Sequence, residues 1–166
     1  EIRTLLKKKQ YDRLVRLTAE GGVSLSDLIS LTYDKKNVIC WRAIDAIGLI
    51  TKELSKRNPE IVRNTVGRLL WMIRDESGGI GWSSPEILGE IVRNNPELFS
   101  DLAPIIVSFH DEGMLSAGVL WSIGRMDRRV KGLAEYATPV IIPYLDSPDK
   151  MLRGNAALAL GEIGAF

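Results

Sequence analysis

Apolar residues fall three and four positions apart through much of this chain, the spacing of a helix with one buried face, and in four places the pattern leads into a glycine. The segments are 40–48, 81–89, 116–124 and 153–161, so Gly48, Gly89, Gly124 and Gly161 recur at spacings of 41, 35 and 37 residues. A second marker keeps step with the first. Asp34, Asp75, Asp111 and Asp146 each close an apolar stretch 13 to 15 residues before the glycine. Ahead of each aspartate the stretch starts at a cap-type residue: Ser24, Asn58, Asp101 and Thr138. Asn58-Pro59 and Thr138-Pro139 also place proline at the first helical position. The pattern predicts a repeated unit of helix A, a tight turn at the aspartate, helix B with the glycine inside it, and a connector. The aspartate would accept orphan N–H groups at the start of helix B, and the glycine would let neighbouring helices approach closely. Residues one and four before each glycine form the predicted core: Ile44 and Ile47, Leu88, Leu120 and Ile123, Ala157 and Leu160. Pro85, at the same register, instead opens its helix.

The last unit, residues 145–164, resembles the HEAT-like repeat first named from phycobilisome lyases, and the other three keep its aspartate-to-glycine spacing. The resemblance covers residues 24–166 and implies an all-α fold: an α-solenoid of about four HEAT-like helical hairpins, armadillo-like, within a single domain 1–166. The expected units are about 24–57, 58–95, 96–130 and 131–166. The opening stretch 2–19 would be an N-terminal capping helix or a worn half-repeat. The resemblance also implies that the B helices line a concave side.

On helix B, residues three and six before the glycine and one and four after it form a second stripe at helical spacing. It reads Arg42, Asp45, Leu49 and Lys52, then Ser83, Glu86, Glu90 and Arg93, then Gly118, Trp121, Arg125 and Arg128, then Asn155, Leu158 and Glu162. This mixed stripe is the candidate binding face, with Asp45 and Glu86 as an acidic ladder next to Trp121 and Arg125. The irregular stretch 74–86 carries three glycines and adds Trp82 as a local contact candidate. It is no phosphate loop, since the lysine of that motif is missing. Trp71, inside the run Leu69-Leu70-Trp71-Met72-Ile73, reads as core, and Trp41 and Trp82, both seven before their glycines, as a stack across a repeat junction.

Composition narrows the chemistry. The 166 residues hold one Cys and one His, which excludes a disulfide framework, a Cys/His zinc site and most nucleophile–base pairs. Cys40 reads as a small buried side chain and His110 as a cation at a helix C-terminus. Asp45 with Glu86 reads as a surface ladder rather than an acid–base pair or a cation site, so neither a metal nor a cofactor is expected. No apolar run approaches the roughly 18 to 20 residues a membrane span needs. Lone Cys40 and the lack of an export signal point to the cytoplasm. Residues 1–75 carry 15 basic and 9 acidic side chains, residues 76–166 carry 7 and 12, so a net charge of +1 hides halves of +6 and −5.

These features point to a non-catalytic scaffold that binds a protein or peptide on the concave stripe. Two alternatives come only from the resemblance. Some alkylation-repair DNA glycosylases use similar repeats with a concave carboxylate, Trp and Arg, but no motif of theirs is matched, and the acidic second half argues against nucleic acid. A bilin-lyase-like chaperone rests on the repeat's name alone. The apolar ending Ile163-Gly164-Ala165-Phe166 leads us to expect that the C-terminal unit is covered, by a second copy or by further residues.

Overall fold

The computed structural model describes residues 1–75 and 83–165. These are helical, with no strand among them. In chain order the helices are α1 (Ile2–Lys7), α2 (Tyr11–Ala19), α3 (Leu25–Ile29), α4 (Val38–Arg57), α5 (Pro59–Arg74), α6 (Ser84–Asn94), α7 (Pro96–Phe99), α8 (Ala103–Ser108), α9 (Ser116–Met126), α10 (Leu133–Ile141) and α11 (Lys150–Ile163). Short 3₁₀ turns at Ser100–Leu102, Asp127–Arg129 and Ile142–Asp146 extend α7, α9 and α10. All four marker glycines lie inside helices: α4, α6, α9 and α11. The chain divides into two compact units, Glu1–Ile87 and Leu88–Phe166.

In the first unit α4 is the centre and packs against α1, α2, α3 and α5. Its residues Ile39, Cys40, Ala43, Ile44, Ile47 and Ile50 are buried together with Leu6, Leu14, Leu28 and Leu69. Each such aliphatic side chain contributes about 1.5–3 kcal/mol relative to exposure. Start signals in the sequence act as read at two places. Ser24 caps α3 in a reciprocal box with Asp27, and Pro59 opens α5. The cap of α4 is Asn37, whose side chain accepts from Ile39 N at 2.9 Å. Asp34 instead orders the preceding turn by accepting from Lys36 N at 3.1 Å.

In the second unit α11 packs on α9, with Ala156, Ala159, Leu160 and Ile163 inward. Close approach is written into the glycines. A Cβ on Gly89 would stand 2.7 Å from Ser122 Cβ, and one on Gly124 would stand 3.4 Å from Ala159 Cα. Gly164 ends α11 with φ +73, a left-handed cap that favours glycine.

Several sequence expectations are corrected here. Pro139 lies inside α10, which starts six residues earlier after Gly132 (φ +75), so Thr138 is not its cap. The cap of α11 is Asp149, which accepts from Met151 N at 2.8 Å, not Asp146. Asp101 sits in a 3₁₀ turn, and the preceding helix opens at Pro96. Ala157 is exposed rather than core. Trp71 is 66% exposed on α5, because the run around it is wider than the stripe the helix buries, Val62, Val66 and Leu69. His110 does more than face a helix end: its Nδ1 lies 3.0 Å from Tyr144 Oη, and that hydroxyl donates to His110 O at 2.6 Å.

Candidate functional site

The predicted stripe was expected to be solvated along its length. The structure breaks it into exposed and buried parts. Residues 83–92, which include most of α6, are all buried, so this helix has no solvent face there and Glu86 does not form the expected surface ladder with Asp45. Burial of a carboxylate requires compensation, and each glutamate has a cation beside it.

In the first unit, Lys35 Nζ lies 3.0 Å from Glu86 Oε2 and donates to Oε1 at 3.2 Å. Oε2 itself receives no hydrogen bond, and Ser84 Oγ is likewise buried without a partner. Burial pushes the Glu86 carboxyl above its ordinary range, and Lys35 partly offsets this. The Ser83 hydroxyl donates to Thr32 O, the same carbonyl that Cys40 Sγ reaches at 3.2 Å. Burial also raises the Cys40 thiol, which leaves it a poor nucleophile. Trp41 donates its indole N–H to Lys35 O at 2.9 Å, which steadies the turn that delivers the lysine. Arg42, half-buried on α4, donates to Lys7 O at 2.6 Å and Leu6 O at 3.3 Å, closing the C-terminal carbonyls of α1. Asp45 lies within 3.5 Å of the Tyr11 hydroxyl, whose pKa is raised by burial and then by Asp45.

In the second unit, Glu90 on α6 accepts a hydrogen bond from Arg125 Nε on α9. The Arg125 guanidinium also lies 5.6 Å from the centre of the Trp121 ring, within cation–π range. Arg93 supports this arrangement by donating to Arg125 O at 2.7 Å and to Asp127 Oδ2 at 3.0 Å. Asp127 has φ +49, an uncommon conformation for a residue with a Cβ, and the two bonds from Arg93 hold that turn. Trp121 and Arg125 both remain partly exposed. Trp82 lies outside the described residues.

The structure thus joins Glu90, Trp121 and Arg125 in one unit, and Ser83 and Glu86 with Lys35 in the other. Lys35 was missed as a partner because 51 residues separate it from Glu86 and no helical spacing links them. Among the described residues no group of three or more His, Cys, Asp or Glu side chains has the arrangement of a metal site.

No protein-family model matches the chain. An uncharacterized protein of Archaeoglobus fulgidus is 32% identical over 116 residues, which is 69% of this chain and 59% of that protein, so the chain spans somewhat more than half the length of this curated relative. Among solved structures, a designed armadillo repeat protein superposes with a TM-score of 0.57 at 19% identity, covering 98% of this chain and 72% of that one. The fold is an armadillo-like α-solenoid. At that identity the likeness concerns the fold alone.

Proposed function

We propose that the chain is a non-catalytic interaction module that takes a protein or peptide on the α9 surface around Trp121 and Arg125. Armadillo-like repeats generally serve protein–protein interaction, and stacked repeats offer extended surfaces for it. The observation that carries the reading is the Trp121–Arg125 pair. Both residue types dominate binding hot spots, and here the guanidinium is held by buried Glu90 while the indole stays accessible. Glu90 then acts as the support of this pair, Ser83 and Glu86 are internal contacts of the first unit, and Arg42 and Asp45 remain as partly exposed candidates on α4. The glycosylase-like alternative drew on Asp45 and Glu86 as its carboxylates, and only Asp45 stays partly exposed. The burial of Glu86 against Lys35 disfavours that use. No family model supports the phycobilisome-lyase type of repeat, and the bilin-lyase-like alternative is not favoured. Among the described residues no helix is long and apolar enough to cross a membrane. The buried, lone Cys40 suits a reducing compartment such as the cytoplasm.

The test uses Trp121→Ala, which leaves the Glu90–Arg125 pair intact, and Trp71→Ala as an exposed-tryptophan control. A partner recovered from cells of the source organism should bind at least about tenfold more weakly to the first variant than to the wild type, equal to about 1.4 kcal/mol. Equal binding by the wild type and Trp121→Ala, with the fold intact, would reject this surface.

A further inference from the structure

Between α3 and α5 in the first unit runs a groove of about 530 Å³, the size of a ligand pocket. Both helices pack on α4, and none of the stripe residues lines the groove. Buried Ile29 and Leu69 and half-buried Met72 line it, with Tyr33 and Trp71 beside them, 48% and 66% exposed. Of the run Leu69-Leu70-Trp71-Met72-Ile73 only Leu69 is buried. Apolar side chains left together at a surface mark a contact site, as scattered ones do not. Arg68 is the one charged residue among those lining the groove. Its Nη1 donates to Ser26 Oγ on α3 at 3.3 Å, which holds the guanidinium across the groove, and among the described residues it has no carboxylate partner.

The charge around the groove decides what fits it. α5 carries Arg63, Arg68 and Arg74 against Glu60, within a stretch, residues 1–75, that holds 15 basic and 9 acidic side chains. A guanidinium bordered by apolar and aromatic surface matches a carboxylate joined to an apolar group. A second copy of this face would set the same cations against these. A nucleic-acid strand needs cations that track its backbone, and this groove has one. We propose that the α3–α5 groove docks an acidic peptide segment of a partner protein, with a large apolar side chain against Tyr33 and Trp71 and an Asp or Glu carboxylate on Arg68. Arg68 and Trp71 are separated by about 4.5 Å along the helix axis. An extended peptide rises about 3.3 Å per residue, so its acid stands one or two positions from its apolar anchor. The site lies in the first unit and does not rest on the α9 surface.

Selection of random phage-displayed peptides on the immobilised 166-residue chain tests this. The wild type should enrich peptides with Trp, Phe or Leu one or two positions from Asp or Glu. Trp71→Ala, at an exposed position and so folded, should bind synthetic copies of them at least about tenfold more weakly by fluorescence anisotropy. Arg68→Glu, also at an exposed position, should invert the choice and select Lys or Arg beside the apolar residue, which replacing a merely structural arginine would not do. The proposal is overturned when the wild type enriches no such peptides, when Arg68→Glu keeps the acidic ones, or when a single-stranded oligonucleotide displaces them. Loss of the peptides in Trp121→Ala would assign them to the α9 surface of the second unit and overturn it as well. The α9 partner is scored on its own variant, so the two readings fail separately.

Discussion

Three glycines at one repeat position provide a controlled experiment in packing. Gly89, Gly124 and Gly161 all lie within the second unit, inside helices, so replacing any of them by alanine gains the same intrinsic helix propensity, about 0.8–1 kcal/mol. Their surroundings differ. At Gly161 the new methyl group meets nothing, so Gly161→Ala should stabilise the unit by nearly the full amount. At Gly124 it meets Ala159 Cα at 3.4 Å, a tight contact that a shift of a few tenths of an ångström relieves, and the net change should lie near zero. At Gly89 it would stand 2.7 Å from Ser122 Cβ and 3.1 Å from Ser122 Cα, whereas carbon atoms settle at about 3.5–4.0 Å. Ser122 is fully buried and its hydroxyl donates to Gly118 O at 2.7 Å, so the obstruction is backbone and anchored side chain. Overpacking of this kind costs typically 1–3 kcal/mol and occasionally more, which leaves Gly89→Ala destabilised by up to about 2 kcal/mol after the propensity gain. Urea unfolding of dilute protein, followed by helical circular dichroism, should rank the midpoints Gly161→Ala, wild type and Gly124→Ala together, then Gly89→Ala. A Gly89→Ala midpoint at or above that of Gly161→Ala would refute the close-packing account of the repeat.

Arg125→Met strips the buried Glu90 carboxylate of its cation, with Asn94 Nδ2 at 3.4 Å as a weak substitute, and should cost about 2–3 kcal/mol in denaturant unfolding; a loss under about 0.5 kcal/mol would mean that Glu90 is solvated. Glu86 binds its proton more tightly folded than unfolded, so its contribution to stability is present below the ordinary value of 4.5 and is lost as pH rises through the raised folded value. Stability measured from pH 4 upward should therefore fall less steeply in Glu86→Gln than in the wild type, and identical slopes would contradict the burial-raised carboxyl. Trp71→Ala should change stability by less than about 1 kcal/mol, against the 3–5 kcal/mol typical of a core tryptophan, as read from the same unfolding curves. Cys40, buried with a raised thiol pKa, should react with a thiol reagent only after denaturant is added; rapid labelling of the native chain would refute its burial.

The repeat was legible through its glycine marker, which acts through periodic physics, whereas the caps of α4 and α11 are Asn37 and Asp149 rather than the marker aspartates. A glycine recurring in step with helical spacing signals that helix after helix must pass close to its neighbour, and Gly89 and Gly124 do so. Ser24 and Pro59 were readable for a similar reason, since a cap and a proline act on residues next to them. What failed needed information from afar. Thr138-Pro139 has the letters of a helix start, but Gly132 supplies the turn six residues earlier and the proline is accommodated within α10. Trp71 has a core residue's neighbours in sequence, yet only Val62, Thr65, Val66 and Leu69 of its helix are buried. The candidate site was half legible. Trp121 and Arg125 were found by spacing, but the burial of Glu86 and Glu90 was not, because α6 is buried all round over 83–92 and charged letters gave the pattern of a wet face.

That misreading has a physical meaning. Two carboxylates one turn apart on α6 are taken from water, at several kcal/mol each before pairing, where apolar residues of similar size would pack at no such cost. What an ion pair adds over apolar contact is direction. Lys35 must sit at Glu86, and Arg125 at Glu90, so each pair fixes which side chain of a neighbouring segment meets α6 and at which turn. For Arg125 the effect reaches the surface. Its guanidinium is bound to Glu90 before any partner arrives, and its backbone carbonyl is held by Arg93, so rotamer freedom is lost on folding rather than on binding. In the proposed function a partner that stacks on Trp121 beside this guanidinium meets a surface already ordered. In that proposed role the buried acid would contribute to affinity without touching the ligand, and a sequence pattern that scores only exposed residues would pass over it.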